Sequence, residues 1–327
     1  MDKKTILVRS PNWVGDAVVS TAILEPLRDY YCDHNIMVVT KDYVSTIFKN
    51  NPFIDDVIVF SGFKDGVKHI NGDIGFILPN SFSSALLFAL CGIKRRVGYT
   101  GELRTFLLTD AIPRPHLKEE HLVENYKRIV LKIVENNVNY KFLPAIYLSS
   151  EEKNQLTLSN FGIPEGVKPV IIDPGSAYGK SKIWQPEKYA AVVDYIVEKK
   201  KFPVILLGAT HSLYITKEIS QLSQYTPLIL TGKLTLREAI IVISKCSLFI
   251  SPDTGSMHIA AALGINQIAI FGSASPIWTK PLNKNSEVIY KNLPCSPCFK
   301  RKCPFGTTEC LKKISFEDVR KKVDLLL

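Results

Sequence analysis

The chain has 327 residues, 46% hydrophobic and 22% charged, the composition of a globular protein with more chain than one hydrophobic core usually holds. A net charge of +10 favours an anionic partner, but there is no zinc-finger spacing, RNA-recognition aromatic pair or long basic stripe, so nucleic acid is set aside for a membrane surface or a phosphorylated glycan. The longest apolar run, 82–93, is interrupted by Ser83 and Ser84 and is too short to span a bilayer; with no leader pattern before the first strand, a cytoplasmic location is expected.

In chain order, β-branched runs predict strands at 5–9, 35–40, 56–60, 73–79 and 96–99. Between the first two, the helical pattern 15–30 places Val19, Ala22, Ile23, Leu27 and Tyr30 on one face, with Pro26 expected to bend or shorten it. A long helical pattern over 119–136 is followed by the polar stretch 149–166, and the domain boundary is expected there, giving domains 1–150 and 151–314. The second half repeats the alternation, with strands expected at 169–173, 203–207, 227–230, 247–250 and 267–271. A helix over 186–200 carries Tyr189, Val192, Val193, Ile196 and Val197 as an apolar stripe after a proline suited to its first turn. Ser315 and Asp318 form a capping-box pattern ahead of Phe316, Val319, Val323 and Leu326, so 315–327 is expected to be a helix, packing back on the first domain. This alternation predicts an α/β protein of two Rossmann-like domains facing across a cleft, with ligands at the carboxyl ends of the strands.

Three segments after predicted strands carry the polar chemistry. In Arg9-Ser10-Pro11-Asn12-Trp13-Val14-Gly15-Asp16, a carboxylate in the first turn of a helix is held as the anion by the helix dipole, able to accept a proton from a hydroxyl; an ordinary N-terminal acid is the alternative. Gly15 beside it would permit close approach of a ligand. The loop 173–184 offers Ser176 and backbone donors with Lys180 and Lys182, which can neutralise a leaving diphosphate, or is a surface loop with solvated lysines; its spacing is not that of a P-loop. Ser251-Pro252-Asp253-Thr254-Gly255-Ser256-Met257-His258 joins a buried-looking strand to an alanine-rich helix, and its backbone N–H groups and helix dipole suit an anion such as a diphosphate. The alternative there is a plain strand-to-helix turn with an Asp or Thr cap.

Cys295, Cys298, Cys303 and Cys310 crowd into sixteen residues, a set that would suit a structural zinc, although the second pair is too widely spaced for the usual pattern. Disulfides and reduced thiols in a folded loop are the competing readings, and Cys32, Cys91 and Cys246 read as small core residues. No Asp-x-Asp pair is present to grip a metal-bound diphosphate, so chemistry without a required cofactor is expected.

The ordered set Pro11-Asn12-Trp13-Val14-Gly15-Asp16, Pro174-Gly175 with Lys182-x-Trp184, and Asp253-Thr254-Gly255-Ser256-Met257-His258 resembles the ADP-heptose:lipopolysaccharide heptosyltransferases, and among them the heptosyltransferase II group. The cysteine cluster is similar to one in many of that group. The resemblance covers nearly the whole chain and implies a GT-B fold, in which the first domain receives an anionic lipopolysaccharide inner-core acceptor at the cytoplasmic membrane face and the second binds ADP-heptose. It implies inverting transfer of L-glycero-D-manno-heptose, with Asp16 as general base and Lys182, the amides of Thr254 and Gly255, and His258 at the departing diphosphate. It also implies that Asp253 meets sugar hydroxyls and that Asn12, Trp13, Gly15, Ser176, Ser256 and Met257 line the substrates. Ala177 and Tyr178 stand where some relatives carry two hydroxyl residues, and 208–212 should lie near the adenosine. Arg95, Arg96 and Tyr99 are candidates for an anionic acceptor, with a plain solvated strand edge as the alternative. The other readings are a GT-B glycosyltransferase with another acceptor, a sugar-nucleotide epimerase, or a non-catalytic nucleotide-sugar or metal-binding scaffold.

Overall fold

The computed structural model describes residues 3–115, 118–134 and 140–327, which fall into two compact units, 1–147 and 148–327. Each unit is built on a parallel six-stranded sheet.

In the first unit the strands are β1 Thr5–Arg9, β2 Asn35–Thr40, β3 Asp56–Val59, β4 Ile74–Ile77, β5 Arg95–Tyr99 and β6 Asp110–Ile112, in the order β3-β2-β1-β4-β5-β6. In the second they are β7 Val170–Ile172, β8 Val204–Leu206, β9 Leu228–Ile229, β10 Leu248–Pro252, β11 Gln267–Phe271 and β12 Ser286–Tyr290, in the order β12-β11-β10-β7-β8-β9. Both orders are the doubly wound one, in which connections run outward in opposite directions from the first and fourth strands of the unit. The switch point therefore lies between β1 and β4 in one unit and between β7 and β10 in the other. Strand residues at these positions are apolar on both faces because helices cover both sides: Ile6, Leu7, Val170, Ile171 and Ile172 are all fully buried.

The pattern over 15–30 is three pieces rather than one helix: Val14–Ser20, a 3-10 turn Thr21–Ile23, and Leu24–Tyr30. Ser20 and Thr21 bond back to the carbonyls of Ala17 and Val18, at 2.7 and 2.8 Å, and Pro26 has no N–H for the carbonyl four residues earlier, so the ladder tightens between them. The pattern over 119–136 is a helix Leu122–Leu131 capped by His121; the expected end at 135–136 lies outside the described residues. The helix Pro186–Tyr195 continues as a π-turn to Lys200 and stops at left-handed Lys201. Of the cysteines read as core, Cys246 is buried, Cys91 half-buried and Cys32 exposed.

The last helix, Phe316–Leu326, has the expected capping box at Ser315 and Asp318 and contributes to the core of the second unit. Val319 and Val323 are buried in the core with Trp184, Tyr189 and Ile314, Phe316 meets the Tyr195 ring at 6.0 Å, and Tyr195 Oη donates to Asp324 at 2.5 Å. Amphipathic spacing specifies that one face must be covered, and here the helix 186–195 supplies the cover.

Candidate active site

The loop after β1 is organised by a buried cation. Arg9, 2% exposed, donates through Nη1 to the carbonyls of Ser10 and Val39 and through Nη2 to Asn12 Oδ1 at 2.7 Å, while the Phe60 ring lies 4.9 Å from Cζ. Its Nε is buried without a hydrogen-bond partner among the described residues, and burial pulls the guanidinium down to about 10. Ser10 Oγ donates to Thr40 Oγ1 at 2.7 Å, fixing the same turn to β2. These bonds hold Pro11 and Asn12 in place, leave Trp13 56% exposed, and aim the chain into the helix Val14–Ser20. Asp16 stands in the first turn of that helix, half-buried, where the dipole favours its anion. Behind it is the buried Tyr126, whose phenol is pushed well up by burial and further by the Asp16 charge. Gly15 is a helical residue without a positive φ, so its use is the absence of a side chain.

In the second unit the loops after β7 and β10 are stitched together across the switch point. Lys182 Nζ lies 2.5 Å from Asp253 Oδ2 and 4.6 Å from the centroid of the Tyr178 ring, with the two side chains 15% and 7% exposed. Thr254 caps the helix Gly255–Ala262, its Oγ1 accepting the Met257 N–H at 3.4 Å and lying 2.7 Å from Ser256 Oγ. Ser256 Oγ donates to Asp173 Oδ2 at 2.5 Å. The first N–H groups of this helix have no intrahelical acceptor, so Gly255 and Ser256 present donors where an anion would sit. Ser176 Oγ accepts the Tyr178 N–H at 3.3 Å, a local turn that shapes the loop.

Close packing explains the glycines of this loop. A Cβ on Gly175 would stand 1.9 Å from Ser212 Oγ, so the loops after β7 and β8 touch only because position 175 is bare. Gly179 has φ +151 and a Cβ there would meet the Arg301 carbonyl at 2.4 Å.

The structure thus joins Ser176, Lys182, Asp253, Thr254, Gly255 and Ser256 at the ends of β7 and β10, with His258, 6% exposed, one turn into the helix. Met257, expected against substrate, has a fully buried side chain packed with Ala269 and Phe271. Trp184 is likewise core: its Nε1 donates to the Ile314 carbonyl at 3.0 Å and its ring meets Tyr189 edge-on, which anchors the loop that carries Lys182. Arg95, Arg96 and Tyr99 are engaged within the first unit: Arg95 pairs with Asp110, Arg96 donates to the Leu107 carbonyl and Tyr99 to that of Asn125. Asp173, at the head of the 173–184 loop, is the acceptor that ties the two loops.

All four clustered cysteines are free and line one cavity of about 220 Å³ with Ser181 and Ser273. Among the described residues, no set of three or more His, Cys, Asp or Glu side chains is placed to hold a metal ion. The Cys303 thiol is drawn down by the N–H of Thr308, at 3.4 Å, with smaller help from Phe305, Thr307 and Gly306, whereas burial and the other three thiols push Cys310 up. This segment braces the Lys182 loop: Phe299 accepts from Tyr178 Oη at 2.7 Å, Lys300 from Ser181 Oγ, and Arg301 from the Ser181 N–H.

Comparison with known proteins bears on the family and the fold. The sequence profile of glycosyltransferase family 9 (heptosyltransferase) matches residues 63–309. Lipopolysaccharide heptosyltransferase 2 of Escherichia coli K12 is 27% identical over 305 residues, covering 87% of both chains, and lipooligosaccharide heptosyltransferase 2 of Haemophilus influenzae is 29% identical over 309, covering 87% of this chain and 88% of that one. The solved structure of the Escherichia coli ADP-heptose lipopolysaccharide heptosyltransferase II superposes with a TM-score of 0.83 at 27% identity, covering 98% of each chain. Two doubly wound sheets, in a chain that matches that enzyme over 98% of its length, define a glycosyltransferase of the GT-B class. Within that class the chain belongs to glycosyltransferase family 9, the heptosyltransferases.

Proposed function

We propose that the chain transfers L-glycero-D-manno-heptose from ADP-heptose to an inner-core heptose of lipopolysaccharide, with inversion at the anomeric carbon. The observation that carries this reading is the seat at the start of the helix Gly255–Ala262, where the first-turn N–H donors, Thr254, Ser256 and Lys182 converge at the switch point of the second sheet. In this account the diphosphate lies on that helix start, and Lys182 shifts part of its charge from Asp253 to the oxygen that leaves. Asp253, freed in part, accepts from a sugar hydroxyl.

Asp16 takes the proton from the acceptor hydroxyl as that oxygen bonds to the anomeric carbon; the bond from that carbon to the diphosphate oxygen breaks on the opposite face, and ADP departs with the electron pair. The exposed Trp13 offers a face for the acceptor sugar. Among the described residues no helix is long and apolar enough to cross a membrane, and the net charge of +10 supports the reading of a peripheral enzyme working at an anionic cytoplasmic membrane face. The four cysteines are assigned a bracing role outside the chemistry, as thiols or around a structural zinc, which metal analysis of the purified protein distinguishes.

Incubation with ADP-heptose and a panel of truncated core glycans, read by mass spectrometry, tests the reading. It expects a product heavier by one heptose with release of ADP; hydrolysis alone, or transfer only to unrelated acceptors, contradicts it.

A further inference from the structure

Asp173 is a buried carboxyl at the centre of the donor-side loops. It follows β7, is 7% exposed, and accepts Ser256 Oγ at Oδ2 and the Gly175 N–H at Oδ1, at 2.5 and 3.2 Å. A Cβ on Gly208 would stand 3.2 Å from Oδ1, with Ser212 and Thr231 beside the same position. Burial raises the carboxyl from its ordinary 3.8 to about 6, against the two hydrogen bonds that hold it down. Among the described residues, the groups acting on its ionisation are Ser256 and the Gly175 amide; Lys182 is engaged by Asp253. The titratable group facing it from the helix Pro186–Tyr195 is Tyr189, whose phenol oxygen is buried without a hydrogen-bond partner among the described residues and whose ionisation Asp173 opposes. Asp253 and His258 are the other ionisable side chains of the β10 loop and its helix, and Ser212 and Thr231 on the β8 and β9 side are uncharged.

The hydroxyl hydrogen of Ser256 is committed to Asp173, so Ser256 cannot also donate to a ligand. An incoming diphosphate adds negative charge beside a carboxylate that burial already disfavours. We infer that Asp173 is a positioning residue of the donor seat: diphosphate binding places a proton from solvent on its carboxyl, and the Asp173–Ser256 hydrogen bond reverses so that Ser256 donates to a phosphate oxygen. Protonated Asp173 becomes the donor, Ser256 accepts from it and passes its own hydrogen outward, and each group keeps one hydrogen bond. The inference rests on the proposal that this helix start seats the diphosphate.

Calorimetry of ADP binding to the full chain, in two buffers of different ionisation enthalpy, tests it. At pH 7 to 8 the wild type is expected to take up about one proton beyond Asp173→Asn, and its affinity to fall about tenfold more steeply over that unit of pH. Ser256→Ala removes a bond that holds the Asp173 carboxyl down, so the fall in affinity should move to higher pH. Uptake that is absent, or that persists undiminished in Asp173→Asn, or an unmoved profile in Ser256→Ala, overturns the inference. Absence of ADP binding altogether overturns the seat on which it rests.

Discussion

The two units share a strand order and place their polar loops at the same topological position, yet they put opposite charges there. The first ends β1 on the buried cation Arg9, and the second follows β7 with the buried acid Asp173. Arg9 spends its donors on backbone carbonyls and Asn12, which freezes a turn and leaves Trp13 and Asp16 as the surface on offer. Asp173 spends its acceptors on a hydroxyl and a glycine amide, a network a proton can rearrange. A shared fold thus fixes where a site is built, while the charge buried beneath the loop decides whether that loop is rigid or responsive.

Breaking the second loop should show most in rate. Lys182→Ala removes the cation facing Asp253 and is expected to lower kcat/KM roughly 10²–10³-fold, with ADP release followed as the readout. Breaking the first loop should show in stability. Arg9→Met takes the guanidinium donor from the Ser10 carbonyl and one of two donors from that of Val39, and should cost about 1–3 kcal/mol, seen in urea unfolding.

The comparison sharpens at Asp173, where the sign runs the other way. Its folded value lies above its ordinary one, so the folded state holds this proton more tightly; that contribution is complete below about pH 4 and is lost as pH rises through about 6. At pH 8 the wild type carries a buried charge costing on the order of 1–3 kcal/mol, and Asp173→Asn should unfold at a higher temperature than wild type there, the gain closing towards pH 4. The smallest stability effect belongs to Trp13→Ala: with the side chain 56% exposed, unfolding should move by less than about 0.5 kcal/mol while KM for the acceptor rises.

Much of this was legible in the sequence where one segment carries its own signal. β1, β2 and β11 are apolar runs bounded by polar residues, and the capping box at Ser315 announces its helix. β6 and β12 were not expected because one is three residues long and the other, Ser286–Tyr290, is a half-buried edge strand with charge in its run. The interactions that define the donor site join residues far apart: Lys182 with Asp253 across 71 positions, Asp173 with Ser256 across 83. No spacing rule reaches that far; only the parallel pairing of β7 with β10 makes them neighbours. Met257 and Trp184 lie inside motif-like stretches that suggest a ligand, whereas their size and apolarity place them in the core.

The proposed base lies in the first unit and the proposed nucleotide seat in the second, and one variant separates them. In Asp16→Asn, transfer of heptose from ADP-heptose and the Kd for ADP should be measured on the same preparation. The account predicts turnover lowered by roughly 10²–10⁴-fold with ADP binding unchanged within about twofold; transfer at the wild-type rate, or loss of ADP binding in step with activity, would contradict it.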